Sequence, residues 1–535
     1  MVLGGCDPLS LIHRPLHAPS ALGHGFSTTR SQGDLMSSPI NSGASVHGAV
    51  APPDPGSAHA PGKLSWKDAF AMAMAVSGGL YVSFGATVAV VGGLSAMALW
   101  AFAALIGWIQ NSLFAEMASI FPDKPGGVPI YAHEAWRERF APAGALASFG
   151  YWFGWSAVIS IVSVTAGAIV AARWLPEATW ALDLGVAQVG PAQLIGIGLI
   201  LAIMVPNLFG AQPAAWVNKV IGVLLLASFA VFIAAPVVSG QWQAPNLTWG
   251  LGDLAADPWV TLQLALVWLY LIGWTAYGTE MCAAFMPEYR SKKDGKKALF
   301  TSGAYTFGIF LLVPFGVGGL VTQQEAAADP AAMFVTAFTR VLPAGPLADV
   351  MLLAILAALL MGVNAAMADG SRALYGAALD GLVPKQLEKV NRHGVPARAI
   401  YAAVVMNIVL IVLIANPISI LVAANLGYLL AILLALTGFL VLRLDHPEYD
   451  RPFRVGQYAV PLAAVLAVYT AVVLVVGALS SELTGYGGPK ELTIGVGILA
   501  LSLVLYLYRR RVQDHLPLLR DPRPTPATTP VPGLR

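Results

Sequence analysis

Residues 75–85 read Ala75-Val76-Ser77-Gly78-Gly79-Leu80-Tyr81-Val82-Ser83-Phe84-Gly85, an apolar stretch with two adjacent glycines and two serines near its centre. Apolar residues continue on both sides to a run of about 70–92, long enough to cross a bilayer as a helix. Two neighbouring glycines make local unwinding cheap. A second glycine-interrupted stretch, now with aromatic, hydroxyl and carboxyl groups, is Gly273-Trp274-Thr275-Ala276-Tyr277-Gly278-Thr279-Glu280, inside a run over about 261–286. Ten further apolar runs occupy about 94–118, 142–172, 192–209, 215–238, 299–321, 348–372, 399–415, 418–441, 457–479 and 491–508. In lipid every peptide group must be paired within its own segment, so each run is expected to be helical. The fold class is therefore an all-α membrane protein with twelve transmembrane helices.

The composition agrees. The chain has 535 residues, 57% hydrophobic and 11% charged, against about 25% charged in soluble domains. A net charge of +2 with scattered basic residues provides no continuous basic face, which argues against a nucleic-acid partner. Cys6 and Cys282 form neither a CxxC pair nor a disulfide framework. No metal and no cofactor are expected. The runs contain no HExxH, no GxSxG and no pair of aspartates one turn apart, so no catalytic residue is assigned and the chain does not read as an enzyme.

Residues 1–62 are rich in Pro, Gly, Ser, Ala and His, without a pattern that could bury a core, and read as a disordered tail. They lack the apolar h-region of a signal peptide. Residues 513–535 read as a Pro-rich C-terminal tail, leaving 63–512 as the transmembrane domain. With both termini cytoplasmic, all of the 30 Lys and Arg except Arg173, Arg340 and Lys490 fall on the inner side or at inner helix ends. That asymmetry supports both the even number of spans and their direction.

Backbone freed from its helix at membrane depth is tolerated only where it lines a cavity, and interrupted helices in corresponding positions of two halves point to a transporter's substrate site. Helix ends created there present N–H groups to a carboxylate and carbonyls to an ammonium. A zwitterion fits such a pair. Close packing of helices through small residues is the competing explanation for each glycine taken singly.

Several motifs then resemble one family. Ser77-Gly78-Gly79-Leu80-Tyr81 is similar to the first-helix element of the amino acid–polyamine–organocation (APC) superfamily, and Tyr277-Gly278-Thr279-Glu280 with Glu288 and the basic stretch to Lys297 to its sixth-helix element. Glu116 through Pro122, then Gly126-Gly127 and Tyr131, resembles the loop after its second helix. The most specific match runs from Gly370-Ser371-Arg372-Ala373-Leu374-Tyr375 through Asp380-Gly381-Leu382-Val383-Pro384 to Lys389-Val390-Asn391 and Gly394-Val395-Pro396. Arg451-Pro452-Phe453-Arg454 adds a further element.

The resemblance implies a core of two inverted five-helix repeats, about 70–238 and 261–441, with two peripheral helices at about 457–508. It also implies a secondary transporter of amino acids or related small amines in the plasma membrane, working by alternating access. By carry-over, amides around Ser77, Gly78, Gly79 and Leu80 would hold a substrate carboxylate. Carbonyls near Trp274, Thr275, Ala276, Tyr277 and Gly278 would hold its amino group, with Trp274 or Tyr277 as a lid. A sensor or channel on the same fold would look nearly the same.

Glu280 is an isolated carboxylate within a span, and such groups are costly and tend to face the bundle interior. It is a candidate for coupling or gating, as is Asn364, whose amide would face the cavity or bond a neighbouring helix. Asp369 and Glu116 lie close enough to the inner interface to be solvated there. Proton-coupled relatives often place a lysine six residues after an asparagine in the fifth helix, but Asn218 is followed at that distance by Leu224. Val363-Asn364-Ala365-Ala366-Met367-Ala368 lacks the hydroxyls of a sodium site, and no span holds a histidine. A proton accepted by Glu280, or an exchanged amino acid, remains as the coupling partner, beside the membrane lipid that surrounds the spans.

Overall fold

The computed structural model describes residues 64–521 except 123, 125, 186, 211–214, 254 and 343–345; the side chains of 215–219, 346–348 and 351 also lie outside the described residues. The N-terminal tail and residues 522–535 fall outside them too. Twelve described helices are long and apolar enough to cross a membrane: Trp66–Val91, Gly93–Ile120, Pro142–Trp174, Pro191–Leu208, Val220–Val238, Pro258–Glu288, Lys292–Gly318, Leu352–Leu379, Ala397–Ile414, Pro417–Asp445, Ala459–Leu479 and Pro489–Gln513. They are called the first to twelfth spans. The twelve apolar runs and the twelve helices coincide, and a two-residue hairpin, Leu182–Asp183 with Gln188–Val189, is the only described sheet. The all-α class holds.

The third span forms the spine. It packs against the fourth, eighth and tenth spans, and it crosses the tenth where two glycines meet. A Cβ on Gly150 would stand 2.6 Å from the Gly427 carbonyl oxygen, and one on Gly427 would stand 2.9 Å from Gly150. Without a hydrophobic drive between helices in lipid, such close backbone approach is what van der Waals packing needs.

An even number of spans brings both ends of the described chain to one face, the terminal face. There the structure is richer than the sequence suggested. The stretch after the second span, read as a loop, contains a helix at Val128–Phe140, entered through Gly127 at φ 65° and with Arg137 and Arg139 in its last turn, where cations suit the helix dipole. Glu116 is not solvated. It is fully buried, with Arg443 Nη2 at 2.7 Å, Arg451 Nε at 3.5 Å and the Val455 amide donating at 2.7 Å, because the segment after the tenth span folds over it. The chain beyond 513, taken as tail, packs on this face as far as Asp521. The Ala141 amide donates to the Leu519 carbonyl at 2.8 Å, the Asp521 amide donates to the Arg137 carbonyl at 2.9 Å, and Asp521 pairs with Arg510 at 3.3 Å.

On the opposite face, two short helices between the seventh and eighth spans, Gln323–Ala328 and Met333–Val341, cover the first span. Phe334 sits 4.7 Å from Tyr81 and 5.1 Å from Phe232 between ring centroids, and Phe338 lies 4.2 Å from Phe232. This aromatic cluster packs over the first span on that side.

Candidate functional site

The first span is α-helical over Trp66–Met74, tightens to a 3₁₀ helix over Ala75–Gly78, and resumes as α-helix at Gly79. The sixth span is α-helical over Pro258–Ala276 and continues as a 3₁₀ helix for eleven residues, Gly278–Glu288. The interruptions sit at the Gly78–Gly79 pair and at Gly278, as read from the sequence, but they are changes of helix type and not open gaps. In an apolar surround, i→i+3 bonding keeps the peptide groups paired where full unwinding would orphan them. Those bonds have poorer geometry than α-helical ones, and 3₁₀ runs beyond three or four residues are uncommon and often mark a hinge. Thr275 links the two interruptions: its Oγ1 donates to the Val76 carbonyl at 2.7 Å.

Beside this junction lies a cavity of about 70 Å³, lined by Gly78, Gly79 and Val76 of the first span, Trp155, Val158 and Val162 of the third, Trp274 and Met281 of the sixth, and Ala358, Gly362, Ala365 and Asp369 of the eighth. Towards the terminal face it meets a vestibule of about 400 Å³, lined by Gly126 and Pro129, Tyr151, Glu288, Arg372 and Tyr375, and Val390, Gly394 and Pro396. Trp155, Met281 and Asp369 belong to both walls.

The candidate residues separate. Gly78 faces open space, with nothing within 4 Å of a Cβ placed on it, whereas a Cβ on Gly79 would strike Thr275 Oγ1 at 2.3 Å. Trp274 lines the small cavity, and its indole N–H has no partner among the described residues. Tyr277 turns away and meets Tyr469 of the eleventh span, hydroxyl to hydroxyl at 3.1 Å. Ser77 Oγ donates to the Met74 carbonyl at 2.6 Å and lies 3.1 Å from the Tyr305 hydroxyl, and Leu80 is fully buried. The Ala276 carbonyl packs against Gly107, and Gly278 against Val76 and Trp155.

Glu280 is buried beside the cavity. Its Oε1 accepts from the Tyr428 hydroxyl at 2.9 Å and from Trp155 Nε1 at 3.4 Å, while Oε2 has no partner among the described residues. It therefore joins the sixth span to the third and tenth. Asn364 bonds a helix and does not face the cavity: its Oδ1 accepts from Asn207 Nδ2 at 2.8 Å. The fifth span is helical through Asn218 and Leu224, and the side chains of Asn218 and Lys219 lie outside the described residues.

Two lining residues stand differently in the sequence: Asp369 reads there as solvated at the inner interface, and Trp155 reads, with Tyr151, Trp152 and Phe153, as a third-span aromatic leaning towards uncharged substrates or belonging to an interface belt. The eighth span carries a signal for one of them: Ala358, Gly362, Ala365 and Asp369 recur at steps of four, three and four, a single helical face of small residues ending in a carboxylate.

The chain is 28% identical over 360 residues to the lysine-specific permease LysP of Escherichia coli, covering 61% of this chain and 66% of that one. It is 25% identical over 332 residues to the amino-acid permease RocC of Bacillus subtilis, covering 60% and 66%. It is 24% identical over 349 residues to the gamma-aminobutyric acid permease of the same organism, covering 62% and 69%. It thus spans about two thirds of the length of these relatives. The family model for amino acid permeases matches residues 64–500, nearly all of the described chain and every motif read above. Residues and match together make this chain a member of the amino acid permease family of the APC superfamily, a multi-pass protein of the plasma membrane.

Proposed function

We propose that this protein is a secondary active transporter that carries amino acids or related small amines across the plasma membrane by alternating access. One observation carries the reading: the cavity at the Gly78–Gly79 junction runs towards a vestibule on the terminal face, while the aromatic cluster around Phe334 packs over the first span on the opposite side. One path with one closed end is what a carrier caught in a single access state presents. The Lys and Arg distribution supports a cytoplasmic terminal face, so the state is inward-facing. The relatives' names, which include lysine and gamma-aminobutyric acid permeases, support an amine-bearing substrate.

The substrate carboxylate docks at the first-span junction, where weak 3₁₀ bonds give way to it at small cost and the Trp274 N–H supplies a further donor. Glu280 serves as the gate-linking group, because a shift of the sixth span must break its bonds to Tyr428 and Trp155; a proton or an exchanged amino acid completes the cycle. The transport domain covers 63–512, with repeats at about 70–238 and 261–441. In support, the interrupted spans are the first of each half, and the longest helices, Pro142–Trp174 and Pro346–Leu379, are the third of each.

Uptake of labelled amino acids into proteoliposomes tests the reading. Saturable uptake with counterflow is expected. Gly78→Leu fills the cavity and stiffens the junction, and is expected to abolish uptake while the protein still purifies as a folded monodisperse species. Substrate binding without flux would favour a sensor, and normal uptake by Gly78→Leu would remove the cavity from the path.

A further inference from the structure

Apart from its two indoles, Trp155 and Trp274, and Asp369, the side chains lining the small cavity are apolar. Of the side chains lining it, Asp369 alone is ionisable. At about 70 Å³ the cavity is well below the roughly 300–1,000 Å³ of pockets that enclose a whole ligand, whereas the vestibule of about 400 Å³ falls in that range. A substrate whose head group sits at Gly78 must therefore extend past Trp155, Met281 and Asp369 into the vestibule.

The charge at this neck is poorly matched by the protein itself. Arg372, one turn on, approaches Asp369 only to 3.8 Å, beyond hydrogen-bond reach, and its side chain is 62% exposed against 35% for Asp369. The other charged lining group of the vestibule is Glu288, so the three together carry a formal charge of −1. Carboxylates within membrane spans are costly and mark solute pathways. A neutral side chain passing the neck gains nothing from a carboxylate; a cationic one gains a charge-assisted hydrogen bond and the ring face of Trp155.

We propose that Asp369 is the selectivity residue of this permease, accepting the ammonium or guanidinium of a long cationic amino acid whose head group occupies the Gly78–Trp274 cavity. The proposal rests on the transport reading above and names its substrate class.

L-Lysine and L-norleucine test it, since they share a four-carbon side chain and differ by the terminal ammonium. Competition by each against labelled uptake is measured in proteoliposomes for the full chain, Asp369→Asn and Asp369→Glu. The wild type is expected to prefer lysine. Asp369→Asn is expected to lower that preference by about tenfold or more, the value of one charge-assisted hydrogen bond, with norleucine affinity kept; Asp369→Glu is expected to restore much of the preference. A wild type that prefers norleucine, an unchanged ratio in Asp369→Asn, or equal loss of both solutes overturns the assignment and leaves transport standing. A wild type that moves no amino acid overturns both.

Discussion

The mid-membrane junction and the terminal face are held together by opposite means. At the junction, among the described residues, two spans meet through a hydroxyl-to-carbonyl bond, Thr275 to Val76, with open space at Gly78 and an unpartnered oxygen on Glu280. On the terminal face, buried charges are tied in chains. Glu116 joins Arg443 and Arg451; Glu134 joins Lys124 and Arg137; Arg137 and Arg510 meet at Asp521. Arg509 adds bonds of 2.6 Å to both Glu388 and Asp514. The region proposed to rearrange joins its two interrupted spans by few directional contacts, whereas the loops framing the vestibule are riveted, because a buried ion pair is expensive to open once its partner is gone. The two regions should therefore answer mutation differently.

The hardest blow falls on the frame. Glu116→Gln keeps the size of a fully buried side chain but leaves Arg443 and Arg451 without their counter-charge. The expected loss is about 3–5 kcal/mol of stability, read as a lower melting midpoint in detergent. A midpoint equal to wild type would mean that the segment after the tenth span relaxes to let water in, and the contrast between frame and junction would fail.

A second test uses pH. His133 lies in the helix after the second span, 3% exposed, and burial pushes its imidazole down to about 4; the Glu134 charge opposes the shift, while Arg137 and Lys124 reinforce it. Above about pH 6.5 the ring is neutral folded or unfolded, so it contributes no pH dependence. As pH falls from there to about 4, the unfolded chain takes up a proton that the folded chain refuses, and stability drops by about 3 kcal/mol in all. His133→Gln removes this component, so its melting midpoint should fall less between pH 7 and pH 4.5 than that of wild type. Parallel curves would show that the ring is hydrated in the native frame.

The same contrast explains what the sequence disclosed. Twelve spans were legible because an apolar run of this length has one stable form in lipid, and both interruptions were legible because adjacent glycines and a polar cluster stand out against such runs. Which way a side chain points was not. The first and sixth spans are apolar on nearly every side, so no amphipathic stripe fixes their rotation, and Tyr277 reads as well for the cavity as for Tyr469. Glu116 and Asp369 were both assigned to solvent by depth alone. One is roofed over by a segment more than three hundred residues away, and the other sits at a neck that exists only once the third, sixth and eighth spans are assembled. The helix at Val128–Phe140 was hidden by its polar composition and by Pro129, tolerated in the first turn.

The smallest effect is the sharpest test of the junction, because it sets two neighbours against each other. Gly78 and Gly79 have the same sequence preference and nearly the same backbone, φ −59° and ψ −17° against φ −57° and ψ −21°. Only their surroundings differ. Alanine at 79 must push Thr275 away and strain its bond to Val76, an overpacking cost of about 1–3 kcal/mol. Alanine at 78 enters the cavity without contact and gains helix propensity worth up to about 1 kcal/mol. Melting midpoints of Gly79→Ala and Gly78→Ala should therefore move in opposite directions, while uptake in Gly78→Ala is expected to fall as the methyl group takes up space in the proposed substrate cavity. Equal shifts in stability would mean that the two spans are not in contact at this depth, and the cavity beside them would lose its wall.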